Sequence, residues 1–156
     1  MGPRGKEPGL VYEFSYTAQL KPPVGFGPAH NGTRFFVEAT DGRVEGERLS
    51  GTLSGGGDWL LAGTDGTGRL DVRIHITTDD GAAIYVQYSG ILELNDAVMA
   101  AVTAGGSTDF EDQYFRSAPR FETGDANYAW LTQNVFLGKG HFLGNGIVEY
   151  DVYRVT

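Results

Sequence analysis

The chain has no cysteine. Disulfides, thiolate nucleophiles and sulfur-ligated zinc are excluded together. Positive charge is scarce: 12 Lys and Arg stand against 20 Asp and Glu, for a formal net charge of −8 and a pI near 4.7. A nucleic-acid partner needs a basic patch that releases counterions, so none is expected. No apolar run approaches the ~20 residues of a membrane-spanning helix, and the N-terminal Met1–Pro8 is not followed by the apolar run of a secretory signal. A cytoplasmic protein with no membrane partner is expected. Asn31-Gly-Thr33 matches a glycosylation sequon and is read as an ordinary turn. The three histidines, His30, His75 and His141, lie far apart with no metal-ligand spacing, so no metal site is expected. There is no Gly-x-Ser-x-Gly elbow, and neither Gly25-Phe-Gly27 nor Gly55-Gly-Gly57 forms a phosphate loop or dinucleotide fingerprint. No cofactor is expected.

What is abundant is glycine, 24 of 156 residues, falling between short runs of Val, Ile, Tyr, Phe and Thr. Many strands joined by tight turns have this pattern. The length corresponds to one domain, placed at residues 10–156 behind a flexible N-terminus of residues 1–9. Leu10–Leu20 alternates as a strand, which Lys21–Pro28 cannot continue, because proline donates no ladder hydrogen bond. Strands are predicted at Thr33–Thr40 and Val44–Leu53 around an Asp41-Gly42 hairpin turn. A short strand at Trp59–Ala62 follows, closed by Thr64-Asp-Gly66.

Leu70–Leu92 is the best-specified piece. With Asp79-Asp80-Gly81 as a three-residue turn and Gly81 left-handed, Thr78 opposes Ala82. Ile76 then faces Ile84, Ile74 faces Val86 and Val72 faces Tyr88 on one apolar face. Asp71, Arg73, His75, Tyr85 and Gln87 share the other, with Arg73 opposite Gln87 and His75 opposite Tyr85. A one-residue slip would mix the faces, which fixes the register.

One helix is predicted over Ala97–Ala104, capped by Asn95 or Asp96 and stopped by Gly105. Further strands are expected at Gln113–Glu122 (interrupted at Pro119), at Tyr128–Leu137 and at Gly146–Val155, the last entered through the turn Gly144-Asn-Gly146. Eight or nine strands with one short helix suggest an all-β fold. It is a closed or nearly closed antiparallel β-barrel of lipocalin-like or calycin-like kind, with a β-sandwich as the alternative. Closure removes exposed sheet edges, and an eight-stranded barrel holds packed side chains or one small ligand.

The chemistry-bearing residues fall in four groups. Asp58-Trp59 follows three glycines. Flexible backbone there either brings a carboxylate and an indole to a ligand, or lets Asp58 satisfy a turn while Trp59 fills the core. The polar face of the hairpin offers Arg73, His75, Tyr85 and Gln87. Inside a barrel, Arg73 would hold a carboxylate or enolate while Tyr85 or His75 moved a proton; outside, they are surface residues. Arg120 and Glu122, beside a bulge expected at Pro119, read equally as an ion pair or as a catalytic acid with its partner. Tyr128, Trp130 and Asn134, on one face of an expected strand, would bracket an aromatic ligand or pack as core. Asp58, Arg73, Tyr85 and Glu122 are thus the candidate catalytic residues. Trp59, His75, Gln87, Arg120, Tyr128, Trp130 and Asn134 are the candidate ligand contacts.

Taken in order, Gly32-Thr-Arg34, Gly46-Glu-Arg-Leu-Ser-Gly51, Gly55-Gly-Gly-Asp-Trp59, Leu70-Asp-Val-Arg73, Thr78–Val86, Pro119–Gly124, Tyr128-Ala-Trp-Leu131 and Asp151-Val-Tyr153 resemble a small, mainly microbial family. It is catalogued as domain of unknown function three-two-three-seven, or uncharacterised protein family zero-three-one-one. The resemblance runs through roughly residues 10–155 and is weakest over 93–112. It implies a compact β-barrel-like domain and carries no reaction. Three functions fit: a barrel binding an apolar or aromatic oxygenated metabolite; a cofactor-free lyase, isomerase, dehydratase or cyclase working in the lumen; or a homo-oligomeric structural module. Whether the chain is an enzyme is left open by the sequence.

Overall fold

The computed structural model describes residues 2–156. There are ten strands: β1 Leu10–Leu20, β2 Val24–Ala29, β3 Gly32–Gly46, β4 Ser50–Asp58, β5 Leu61–Ala62, β6 Thr67–Thr78, β7 Ala83–Glu93, β8 Phe115–Glu122, β9 Phe136–Gly144 and β10 Ile147–Val155. The alternation of inward apolar and outward polar residues is clearest in β6, β7 and β8. Helix α1 spans Asp96–Ala104 and a single turn, α2, spans Ala129–Thr132. All strand pairings are antiparallel, and β1 pairs with both β10 and β3. The sheet therefore closes into a ring of eight strands in the order β1-β10-β9-β8-β7-β6-β4-β3, with β2 and β5 on its margin. The barrel-like all-β fold is the one expected. Among the described residues, no helix is long and apolar enough to cross a membrane.

The Leu70–Leu92 hairpin has the expected register, including Val72 with Tyr88, Arg73 with Gln87 and His75 with Tyr85. Gly81 takes φ 94°, and Thr78 N–H donates to the Ala82 carbonyl at 2.8 Å. Its apolar face is the one turned inward: Val72, Ile74, Ile76, Ile84, Val86 and Tyr88 are all buried. Phe14, Tyr16, Val44, Leu53, Phe115, Phe121, Phe142, Tyr150 and Val152 complete the filled interior. Helix α1 has the expected caps. The Asn95 side chain accepts from Val98 N–H, and Gly105 is left-handed at φ 70°. Its buried Val98 and Ala101 sit on the core at one end of the ring.

Four expectations are corrected. Asp41-Gly42 is no hairpin turn; β3 runs unbroken through it. A Cβ on Gly42 would lie 1.9 Å from the Thr17 carbonyl oxygen, so glycine is needed for the close approach of β1. A bulge opposite Gln19–Leu20 changes the inward parity there, from Val37 and Ala39 to Val44. The proline-rich segment after β1 does form a strand, β2. It is tolerated on the margin, with a register shift between Gly25 and Pro28. Pro119 neither interrupts β8 nor makes a bulge, because β7 pairs with β8 in regular register from Tyr85 to Leu92. The β9 ladder has already ended at Ser117. Finally, Tyr128–Asn134 is not a strand. The Asp125 carboxylate accepts from Asn127 N–H at 2.8 Å and starts a helical turn, which overrides the β-propensity of Tyr128 and Trp130.

A candidate acid–base site at the helix end of the barrel

The three glycines before Asp58 build a bulge in β4. Pairing with β6 slips between Ser54 and Gly57, and Gly55 adopts φ 75°. A Cβ on Gly56 would lie 1.8 Å from the Arg73 carbonyl oxygen, and one on Gly55 would lie 2.3 Å from the His75 ring. The extra residue reverses the alternation, so that Leu53 and Asp58, of opposite parity, both face inward. Asp58 then sits beside Val37 on one neighbouring strand and Val72 on the other. Around the ring the row continues through Tyr88 to Pro119, and Val37, Val72, Tyr88 and Pro119 are all buried.

Asp58 itself is half-buried, and a carboxyl among such neighbours loses much of its hydration. Burial is the main cause that pushes the Asp58 pKa up to about 7. The Asp71 main-chain N–H, donating to Oδ1 at 2.9 Å, and the charge of Arg34 pull it down without cancelling that effect; the Asp71 carboxylate pushes it further up. Three phenols occupy the same interior. The rings of Tyr16 and Tyr150 stack at 4.9 Å, and Tyr88 meets Tyr150 edge-on at 5.6 Å. Burial raises all three well above the ordinary phenol value, and the charge of Asp58 adds to the rise for Tyr88 and Tyr150. The Tyr16 hydroxyl is buried toward the Tyr88 phenol, which adds to the rise of its pKa. Among the described residues it has no hydrogen bond of ordinary geometry, a rare and costly arrangement.

Above this row the barrel mouth is open. A cavity of about 470 Å3, with mainly apolar walls, is lined by Phe35, Val37, Leu60, Leu94, Met99 and Val102. A second, of about 310 Å3, lies on the other side of Val37 and Val102 and reaches Ala101 and Phe142. Helix α1 contributes to both. Val37, the cross-strand neighbour of Asp58, borders each.

Of the candidate residues on the strands, only Asp58 faces the interior, while Tyr128 and Trp130 pack on the core from the helical turns, as the core-packing alternative had it. Arg73, His75, Tyr85, Gln87, Arg120 and Glu122 are on the outside of the sheet, so of the two placements the sequence left open for the polar hairpin face, the lumen-lining one does not hold. The cause is the hydrophobic effect acting on the alternation: the face with Ile74, Ile76, Ile84 and Val86 buries more apolar area. Arg73, Tyr85, Gln87, Arg120, Glu122 and Asn134 instead share an outer groove of about 720 Å3. There Arg73 Nη1 donates to Tyr85 Oη at 2.7 Å. His75 lies on the same outer face, beyond this groove. Arg120 and Glu122 form no ion pair with each other, nor with Asp71 or Arg73.

Trp59 lies outside as well, packed on Phe36 at 4.3 Å and Phe26 at 6.2 Å. Tyr128 donates to Asp80 at 2.8 Å, and Trp130 lies under the Arg48 guanidinium at 3.7 Å. These two and Asn134 do not bracket a ligand from one strand face. Tyr16, Tyr88, Tyr150 and the mouth residues were not singled out by sequence reasoning. The available signal was a tyrosine at an inward-parity position on each of three strands.

The matches to known proteins cover nearly the whole chain. The model for "Protein of unknown function (DUF3237)" matches residues 8–155. A UPF0311 protein of Rhodopseudomonas palustris (strain TIE-1) is 33% identical over 145 residues, 92% of this chain and 94% of that protein. The crystal structure of a conserved protein of unknown function from Rhodopseudomonas palustris superposes with a TM-score of 0.86 at 31% identity, over 97% of this chain and 100% of the other. A β-barrel-like protein from Acinetobacter baumannii AYE gives 0.83 at 29% identity, over 98% and 99%. The chain belongs to the DUF3237 family.

Proposed function

We propose that this chain binds a small, largely apolar molecule carrying an oxygen function at the α1 end of the barrel. Asp58 there moves a proton to or from that molecule, with no cofactor required. The observation that carries the reading is the carboxyl that the glycine bulge aims inward beside Val37, a residue that also lines an apolar cavity of about 470 Å3. That volume lies within the range of small-molecule sites, which combine apolar walls with few polar groups. An acid with a pKa of about 7 is present in both protonation states at neutral pH. It can therefore give a proton to a ligand oxygen and recover one in the same cycle. The apolar walls take the body of the molecule. The neutral phenols of Tyr88 and Tyr150 are hydrogen-bond donors near the same carboxyl.

The test is a thermal-shift screen of small cyclic and aromatic ketones, alcohols and phenols against the wild type, Val37→Trp and Asp58→Asn. A ligand of the mouth stabilises the wild type by mass action and is lost in Val37→Trp, whose indole occupies the cavity. With Asp58→Asn it still binds, but solvent deuterium no longer enters it. Stabilisation unchanged by Val37→Trp would contradict the location. Deuterium exchange unchanged by Asp58→Asn would contradict the role of the carboxyl.

A further inference from the structure

Arg73 and Arg120 lie on the outside of the barrel with Gln87 between them, in one cross-strand row over β6, β7 and β8. Adjacent strands are about 4.8 Å apart, so the two backbone positions are separated by roughly 10 Å. Two arginine side chains can close that span over one small anion.

Among the described residues, neither arginine is engaged by a carboxylate, although both stand in a strongly acidic chain. Elsewhere on the barrel Arg43 pairs with Asp79, Arg69 with Asp65, and both Arg48 and Arg154 with Glu13, while Arg34 and Arg116 donate to the Trp59 and Phe115 carbonyls. Arg73 and Arg120 make no ion pair among the described residues. Yet Asp71 and Glu122 each lie two residues away on the same face. Arg73 is instead held by Tyr85, its Nη1 donating to the phenol oxygen at 2.7 Å, which leaves the phenol hydrogen free to donate elsewhere. Opposite this row, Thr123, Thr132 and Asn134 wall the groove. The Asn134 Nδ2 is engaged by the Trp130 carbonyl at 2.8 Å.

We propose that this outer groove binds an anionic group, a carboxylate or a phosphate, between Arg73 and Arg120, with Tyr85 and Gln87 as further donors. Guanidinium–oxyanion bonds are charge-assisted, and two of them fix both position and orientation. Glu122, paired with Tyr85 across the β7–β8 ladder, repels a second negative charge at that end of the groove. The ligand therefore carries one anionic group and a neutral or cationic remainder. The groove lies on the opposite face of the sheet from Asp58 and does not depend on the lumen being a site.

The test follows the arginine Nε–Hε NMR signals of the full chain during titration with inorganic phosphate and, separately, with acetate, with chloride at matched ionic strength as the control. Saturating shifts at Arg73 and Arg120 that chloride does not produce are expected. Arg73→Gln and Arg120→Gln should each weaken the apparent affinity about tenfold, the loss of one hydrogen bond to a charged group. Arg69→Gln, outside the groove, should leave it unchanged. Saturation by phosphate alone assigns a phosphoryl ligand, saturation by acetate alone assigns a carboxylate, and either supports the site. Shifts that rise linearly with both anions, or saturation that persists in the Arg73→Gln/Arg120→Gln double variant, would overturn it.

Discussion

Asp58 accepts the main-chain N–H of Asp71 at 2.9 Å, and this is the one hydrogen bond its carboxyl makes among the described residues. An ionised carboxylate has room for about four. A single donor is too little to hold the charge in an apolar wall, so the proton stays on until the pH reaches about 7.

A stability difference follows. The folded pKa of Asp58, about 7, exceeds its ordinary value of 3.8, so the unfolded chain releases the proton first. The contribution of the protonated group is complete below about pH 4. It declines as pH rises to about 7 and then levels off, a total on the order of 4 kcal/mol. Asp58→Asn removes this dependence. Urea unfolding at pH 4.5 and at pH 8 should show the variant gaining on the wild type at the higher pH. A constant difference between the two proteins would count against an acid desolvated by the folded barrel.

The bulge makes a second prediction. A Cβ at Gly56 would fall 1.8 Å from a backbone oxygen, which no rotamer can relieve. Gly56→Ala should cost about 2–4 kcal/mol in urea unfolding, as strain at a constrained backbone position does. It should also return the Asp58 titration toward the ordinary carboxylate range by disturbing the inward turn. A fully stable variant would show that the bulge is not obligatory.

The unpartnered Tyr16 hydroxyl predicts the reverse of the usual core mutation. Removing a buried group that has no partner deletes a desolvation cost without orphaning another group. Tyr16→Phe should therefore be neutral or stabilising by about 1 kcal/mol, read from the urea midpoint at unchanged m-value. A loss above about 1 kcal/mol would mean that the hydroxyl is bonded in the folded protein.

Much of the fold could be read from the sequence because the physics was local. The Leu70–Leu92 register followed from a two-residue alternation and one glycine turn, and the α1 caps followed from Asn95 and Gly105. Which face of that hairpin pointed inward was not local. It depended on the ring closing through the β1–β3 pairing, between strands whose bend at Gly42 read as a turn. The same holds for the site. Asp58 was visible as a carboxylate behind three glycines, but its inward aim required knowing that they form a bulge. Tyr128 and Trp130 misled because their β-propensity was outweighed by the capping carboxylate of Asp125. Tyr16 and Tyr150 meet as cross-strand partners of β1 and β10, from opposite ends of the sequence, and it is the curvature of the ring that brings Tyr88 of β7 against Tyr150.

The most direct measurement is the titration of the Asp58 side-chain carboxyl carbon by NMR in the unliganded protein. A midpoint near 7 is expected, moving when a ligand of the mouth cavity is added. A midpoint near 4, unmoved by any such ligand, would contradict an inward-facing acid poised for proton transfer.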